Sequence, residues 1–129
     1  MSYAHAVTLH SDFPTSVAAV RQALADAGFG VLTEIDVTAT LKAKLDQDIE
    51  PYLILGACNP PLAHRALEVD RSIGLLLPCN VVVRAQGSAT LVEILDPITM
   101  VQVTGRQELG PVARDAAQRL DAALASLRT

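Results

Sequence analysis

The alternation of apolar and polar positions predicts a strand, a helix and a second strand in the chain up to Ile35. Tyr3, His5, Val7 and Leu9 fall on one face of an extended segment from Ala4 to Leu9. Ser11-Asp12-Phe13-Pro14 then places a capping side chain ahead of a first-turn proline. Phe13, Val17, Val20, Leu24 and Ala27 follow at helical spacing, and Gly28 beyond them suits a left-handed stop. From Phe29 the period returns to two, with Phe29, Val31, Thr33 and Ile35 alternating against Gly30, Leu32 and Glu34. His5 is expected near the core as a strand histidine with a local hydrogen-bond partner, because no carboxylate adjacent in sequence would orient it.

Further on, Asp36 or Thr38 caps a short helix carrying Val37, Leu41 and Leu45. Lys42, Lys44, Asp46 and Asp48 mix their charges there as a solvated face does, with Lys44 as the candidate for an anion contact. Tyr52 to Ala57 is an unbroken apolar run, expected as a strand buried on both faces. Asn59 caps the next helix and Pro60 or Pro61 fills its first turn. Leu62, Ala63, Ala66, Leu67 and Val69 form the buried stripe of that helix, with His64, Arg65 and Glu68 turned away. A second short apolar run, Ile73 to Leu77, reads as a strand that Pro78 interrupts and Val81 to Arg84 resumes. Gln86-Gly87-Ser88 is a hairpin turn into Thr90 to Leu95, and Asp96-Pro97 opens a loop. Met100, Val101 and Val103 form an apolar knot whose spacing suits a turn of helix or an extended segment equally. From Pro111 a closing amphipathic helix presents Val112, Ala116, Leu120, Ala123, Leu124 and Leu127 on one face, with Asp115 four residues before Arg119.

Composition narrows the picture. A chain of 129 residues, half of them hydrophobic and 19% charged, matches one domain over residues 1–129 with a dense aliphatic core. The only aromatics are Tyr3, Phe13, Phe29 and Tyr52, so stacking platforms for bases are scarce. With a net charge of −4 and scattered basic residues, a nucleic-acid partner is not expected. No apolar run reaches the roughly 20 residues that span a bilayer and no secretory leader is legible, so a cytoplasmic protein without a membrane partner is expected. There, two cysteines read as free thiols rather than a structural bridge. The apolar excess in so small a domain also suggests a buried homomeric face, hence a homodimer.

The chemistry concentrates at Cys58-Asn59-Pro60 and Pro78-Cys79-Asn80, two similar neighbourhoods in apolar surroundings. A helix from Pro60 to Asp70 travels about 16 Å at 1.5 Å per residue. A strand from Ile73 to Leu77 returns about as far at 3.3 Å per residue. If these form a right-handed β-α-β crossover, with Ile73 to Leu77 parallel to Tyr52 to Ala57, Cys79 arrives beside Cys58. Cys58 precedes a helix N-terminus, whose dipole and unsatisfied N–H groups favour a thiolate, so it is the better nucleophile or ligand. Cys79 would resolve, pair with or co-ligate it. Two thiols cannot close a tetrahedral zinc site, and a soft metal such as Cu(I) or zinc would need a third ligand, for which His64 and Met100 are the candidates. Both cysteines also suit plain packing as small hydrophobes. Three functions stay open: a small-ligand, soft-metal or sulfur carrier; a thiol enzyme with Cys58 as nucleophile; and a structural or interaction homodimer. No catalytic set and no cofactor is assigned, and Asp96 and Glu34 read as lone acids at strand ends, caps rather than catalysts.

Gly28-Phe29, Glu34-Ile35-Asp36, Lys44, Gly56-Ala57-Cys58-Asn59-Pro60, Ile73-Gly74, Leu77-Pro78-Cys79 and Asp96-Pro97 together resemble a family of small bacterial and archaeal domains, domain of unknown function 302. The resemblance runs through most of the chain and rests chiefly on the cysteine pieces. It implies an α+β fold with a curved sheet against helices, and a homodimer; joined to the elements read above, this gives a mixed sheet of about five strands in the order β-α-β-α-β-α-β-β-α. It implies no established activity. Carried over by position, it places Cys58, Asn59, Pro60, Pro78 and Cys79 in one pocket, with Lys44 and Asp96 as neighbours. A fold does not specify a reaction, so the site has to be argued from its own chemistry.

Overall fold

A computed structural model describes residues 3–128. Its five strands are β1 (Ala4–Leu9), β2 (Gly30–Asp36), β3 (Tyr52–Cys58), β4 (Cys79–Gln86) and β5 (Ala89–Leu95). The helices are α1 (Phe13–Asp26), α2 (Val37–Leu45), α3 (Pro60–Val69), α4 (Thr99–Thr104) and α5 (Gly110–Ser126). Side-chain caps start three of the helices where the sequence places them. Asp12 accepts from the Thr15 N–H, Asp36 from Ala39 and Asn59 from Leu62, each relieving one of the donors a helix start leaves unpaired.

The sheet runs β1-β5-β4-β3-β2, and all four pairings are antiparallel. Register makes the layering explicit, because residues directly opposite one another share a face. Val7, Val92, Val83 and Leu53 form one inward row; His5, Ile94, Val81 and Leu55 form the next. Apart from His5, every member of both rows is buried. Against them pack Val20, Ala23 and Leu24 of α1 and Val112, Ala116, Leu120 and Leu124 of α5. The next rows out, Ile54-Val82-Glu93 and Tyr52-Arg84-Leu91, stay half-buried. The strand at Tyr52 to Ala57 is therefore covered on one face only, not on both as its unbroken apolar run suggests. An antiparallel sheet with its helices on one side leaves the other open.

Ile73 to Leu77 also departs from expectation. Residues Arg71–Leu76 form a 3₁₀ helix, not a strand parallel to β3, and the Asp70 side chain caps it through the Ser72 N–H. An apolar run this short is compatible with either state, so tertiary packing chooses; Ile73 is fully buried against α3 while Leu75 is 88% exposed. The chain travels out along the ten residues of α3, about 15 Å, and back along the six residues of the 3₁₀ turn, about 12 Å at 2.0 Å per residue. It therefore re-enters the sheet at the end it left, and β4 runs antiparallel to β3. The apolar knot at Met100 is helical, as α4, with Met100 and Val101 buried. Tyr3, expected on the inward face of β1, precedes the strand and is exposed.

Candidate functional site

That return brings Cys79 to the end of the sheet where Cys58 closes β3. Ala57 sits directly opposite Cys79, with Cys58 one residue further along β3. Both cysteines are free and partly buried, and both residues border a cleft at this end of the sheet, although strand alternation gives Cys79 the face of Ala57 and Cys58 the other. Its walls come from Phe29, from Leu62, Ala63 and Ala66 on α3, from Leu77 and Pro78, from Met100 on α4, and from Val112 and Ala116 on α5. The cleft leaves about 30 Å³ for a water-sized body, room for about one water and far short of a drug-sized site. Small side chains on the facing helices, Ala63, Ala66 and Ala116, leave this room. An ion-pair chain fixes those two helices: Arg65 donates to Asp115 at 3.0 Å, and Arg119 donates to the other oxygen of the same carboxylate at 2.8 Å. Arg106 adds a hydrogen bond to the Val69 carbonyl at 2.8 Å, tying the residues after α4 to the end of α3.

Among the described residues of the lining, Asn59 carries the only polar side chain besides the cysteines, and its carbonyl oxygen accepts from the Leu62 N–H at 3.2 Å. The first turn of α3 offers nothing to a sulfur. Pro60 and Pro61 carry no N–H, the Leu62 N–H goes to the Asn59 side chain and the Ala63 N–H to the Asn59 carbonyl at 2.9 Å. The unsatisfied N–H groups expected ahead of Cys58 are therefore absent or already committed within α3. Burial pushes the Cys79 thiol above its ordinary value, with a smaller upward push from Cys58. Among the described residues lining the cleft there is no histidine, carboxylate, lysine or arginine.

Of the residues singled out from sequence, the fold brings Cys58, Asn59, Pro78, Cys79 and Met100 together in this cleft. Pro60 lies outside it, exposed at the helix start. Lys44 is exposed on α2, where the neighbouring Lys42 bridges Asp46 and Asp48 at 2.9 and 3.3 Å, as a solvated face does. His64 is also outside, paired at 3.0 Å with Glu68 one turn on, so it is not the third ligand. No group of three or more His, Cys, Asp or Glu side chains suited to a metal ion occurs among the described residues.

Asp96 points elsewhere, and there the structure corrects the reading of His5. The His5 Nε2 lies 3.0 Å from the Asp96 carboxylate and its Nδ1 2.9 Å from Asp121 on α5. The first hydrogen bond, aided by the charge of Asp121, raises the imidazole pKa despite partial desolvation. Asp96 is a cap as expected, accepting from the Ile98 N–H at 3.0 Å, but it is also an orienting carboxylate. Burial pushes its carboxyl up, while His5 and Ile98 together bring it below the usual value. Residues 91 apart in sequence meet here, with no local signal to announce it. Glu34, the other lone acid, pairs with Arg21.

The family model described as "Domain of unknown function DUF302" matches residues 5–127. A crystal structure described as an uncharacterized conserved protein DUF302 from Bacillus stearothermophilus superposes with a TM-score of 0.92 at 29% identity, covering 99% of this chain and 100% of that one. No curated protein matches the chain. With that fold shared over 99% of the chain and the family model matched over residues 5–127, the protein belongs to the DUF302 family.

Proposed function

We propose that the chain is a small binding or carrier module whose working surface is the cleft shared by Cys58 and Cys79, holding a small ligand, a soft metal ion or a sulfur atom. The observation that supports this reading is that both free cysteines border one apolar cleft. A thiol enzyme is the weaker alternative. A nucleophilic Cys58 needs a base within hydrogen-bond reach, and the described lining supplies neither a histidine nor an acid. Residues 1–129 act as one folding unit in the cytoplasm, where thiols stay reduced. Native mass spectrometry of freshly purified protein, before and after dithiothreitol, tests the reading. A bound metal or sulfur mass, lost in a Cys58→Ser, Cys79→Ser double variant, is the expected result; a bare chain in which both thiols resist alkylation until unfolding would refute it.

A homodimer is the second reading, and a specific surface favours it. Ile54, Val82 and Leu91 on the uncovered face of the sheet are only half-buried, and Ile35 and Leu95 are 49% and 37% exposed. Covering that face with a second copy would remove apolar surface from water around the Arg84–Glu93 ion pair. Sedimentation equilibrium tests it, with dimer mass expected for the native chain and a shift toward monomer in Val82→Lys.

A further inference from the structure

The open face of the sheet carries a single pair of charges. Strand register directs Arg84 of β4 and Glu93 of β5 to that face, and no other charged residue of the five strands shares it. The face is thus neutral in a chain whose net charge is −4. Resting on the homodimer reading above, we propose that two copies exchange this pair, the Arg84 guanidinium of each chain bonding the partner subunit's Glu93 around a two-fold axis.

Within one chain the pair is incomplete. Arg84 Nε donates to one Glu93 oxygen at 3.3 Å, long for a hydrogen bond between charged groups. Among the described residues, neither Nη group of Arg84 has an acceptor and the second Glu93 oxygen has no donor. These atoms stay within reach of solvent, which completes them in the single chain. The two side chains are nevertheless only 28% and 31% exposed. Apolar residues flank them in register, with Leu91 opposite Arg84 and Val82 opposite Glu93.

Covering the apolar face takes that water away. A charge pair is costly to bury unless its remaining donors and lone pairs are satisfied. A closed dimer satisfies them, because in an isologous interface residue i meets j and j meets i. Each copy then offers its free Glu93 oxygen to the Nη fork of the other's Arg84, the geometry in which guanidinium and carboxylate pair best. The position in the fold suits this exchange. β4 is the middle strand of the sheet and β5 is its neighbour, and groups at the centre of a self-complementary patch lie beside its axis. Partners of other chemistry fit less well. An acidic surface would satisfy Arg84 and repel Glu93, a basic one would do the reverse, and an apolar one would bury both with their free atoms unpaired. A second copy brings the two charges in equal number and leaves none over.

Charge reversal in the full chain tests the exchange. In sedimentation equilibrium, Arg84→Glu and Glu93→Arg should each self-associate at least about thirty-fold more weakly than wild type, the lower end for losing one partner of a buried charge pair. Mixed in equal amounts, the two variants should form a heterodimer of near wild-type affinity, identified by its mass in native mass spectrometry. Each chain of that heterodimer carries two like charges at this site, so only bonds between the chains can account for its recovery. Should a reversal fail to fold, Arg84→Gln and Glu93→Gln take its place, each expected to keep the wild-type circular dichroism spectrum and weaken the dimer by about the same factor. If wild type dimerises and Val82→Lys does not, while the single variants associate at wild-type strength or the mixture recovers nothing, the exchange is overturned and the homodimer stands. If wild type sediments as a monomer, both fail.

Discussion

Gly56 is where the sheet and the mouth of the cleft press on one another, and Gly56→Ala should destabilise the protein measurably. Gly56 lies in β3 between Thr33 of β2 and Asn80 of β4. A methyl group added there would sit 2.7 Å from the Pro78 ring, 3.4 Å from the Thr33 Cβ and well inside contact distance of the Thr33 hydroxyl. The hydroxyl can rotate away, because Thr33 is exposed. The Pro78 ring cannot, being fixed between the end of the 3₁₀ turn and the first residue of β4. Overpacking of this kind costs about 1–3 kcal/mol. The smaller conformational freedom of alanine in the unfolded chain offsets about 0.4–1 kcal/mol of that. A net loss of about 1–2 kcal/mol, spread over 129 residues that each release about 2.1 cal/mol/K on unfolding, lowers Tm by about 4–7 °C. Calorimetry on wild type, Gly56→Ala and Gly56→Ala with Thr33→Ala measures it. Because the proline contact dominates, Thr33→Ala should recover only a minor part, and Cys79 should alkylate faster in the single variant as Pro78 is pushed aside. A Tm for Gly56→Ala equal to or above wild type would refute the argument.

Other perturbations separate the remaining contributions. Asn59→Ala removes the α3 cap and should lower stability by about 1–2 kcal/mol in urea unfolding, with Asn59→Ser keeping most of it. The His5 pKa is raised in the folded chain, so its ion pairs stabilise fully below the unfolded value of 6.5 and are lost as pH rises through the folded value. The Asp96 carboxyl is lowered, so its share is lost only as pH falls below its ordinary 3.8. The Tm gap between wild type and His5→Gln should therefore be widest near pH 5.5 and close by pH 9. Its size should stay within about 1 kcal/mol, because a side chain 36% exposed is screened by solvent; a gap that widens with alkali would contradict the geometry. At pH 8 under native conditions, iodoacetamide should label the Cys79 of Cys58→Ser more slowly than the Cys58 of Cys79→Ser, and urea should erase the difference.

Local chemistry alone determined much of this protein. Asp12, Asp36 and Asn59 start their helices where the sequence puts a capping oxygen before a helical run, because cap and helix lie within three residues of each other. The hairpin at Gly87 and the buried face of α5 follow equally from nearest-neighbour geometry and a sustained period. The return of Cys79 to the sheet end that holds Cys58 was also legible, but by a mistaken route. Rise-per-residue arithmetic brings the chain back to that end whether the return is a strand or a 3₁₀ turn, while the strand direction it assumed was wrong.

Only the tertiary structure decided what lies across the chain. Ile73 to Leu77 is too short and too uniformly apolar for its own pattern to choose a state, and burial of Ile73 against α3 chooses for it. Met100 joins the cysteines because α4 folds over the end of the sheet, whereas His64, nearer to Cys58 in sequence, turns to solvent on the far side of α3. His5 gains Asp96 and Asp121 through strand pairing and the path of α5, contacts that no window of sequence contains. The two prolines that mark the start of α3 in the sequence are, in three dimensions, the reason that its first turn has no donor to offer a thiolate. The cysteine cleft is left with sulfur and hydrocarbon as its chemistry, a property that belongs to the packing of five separate elements and not to any one of them.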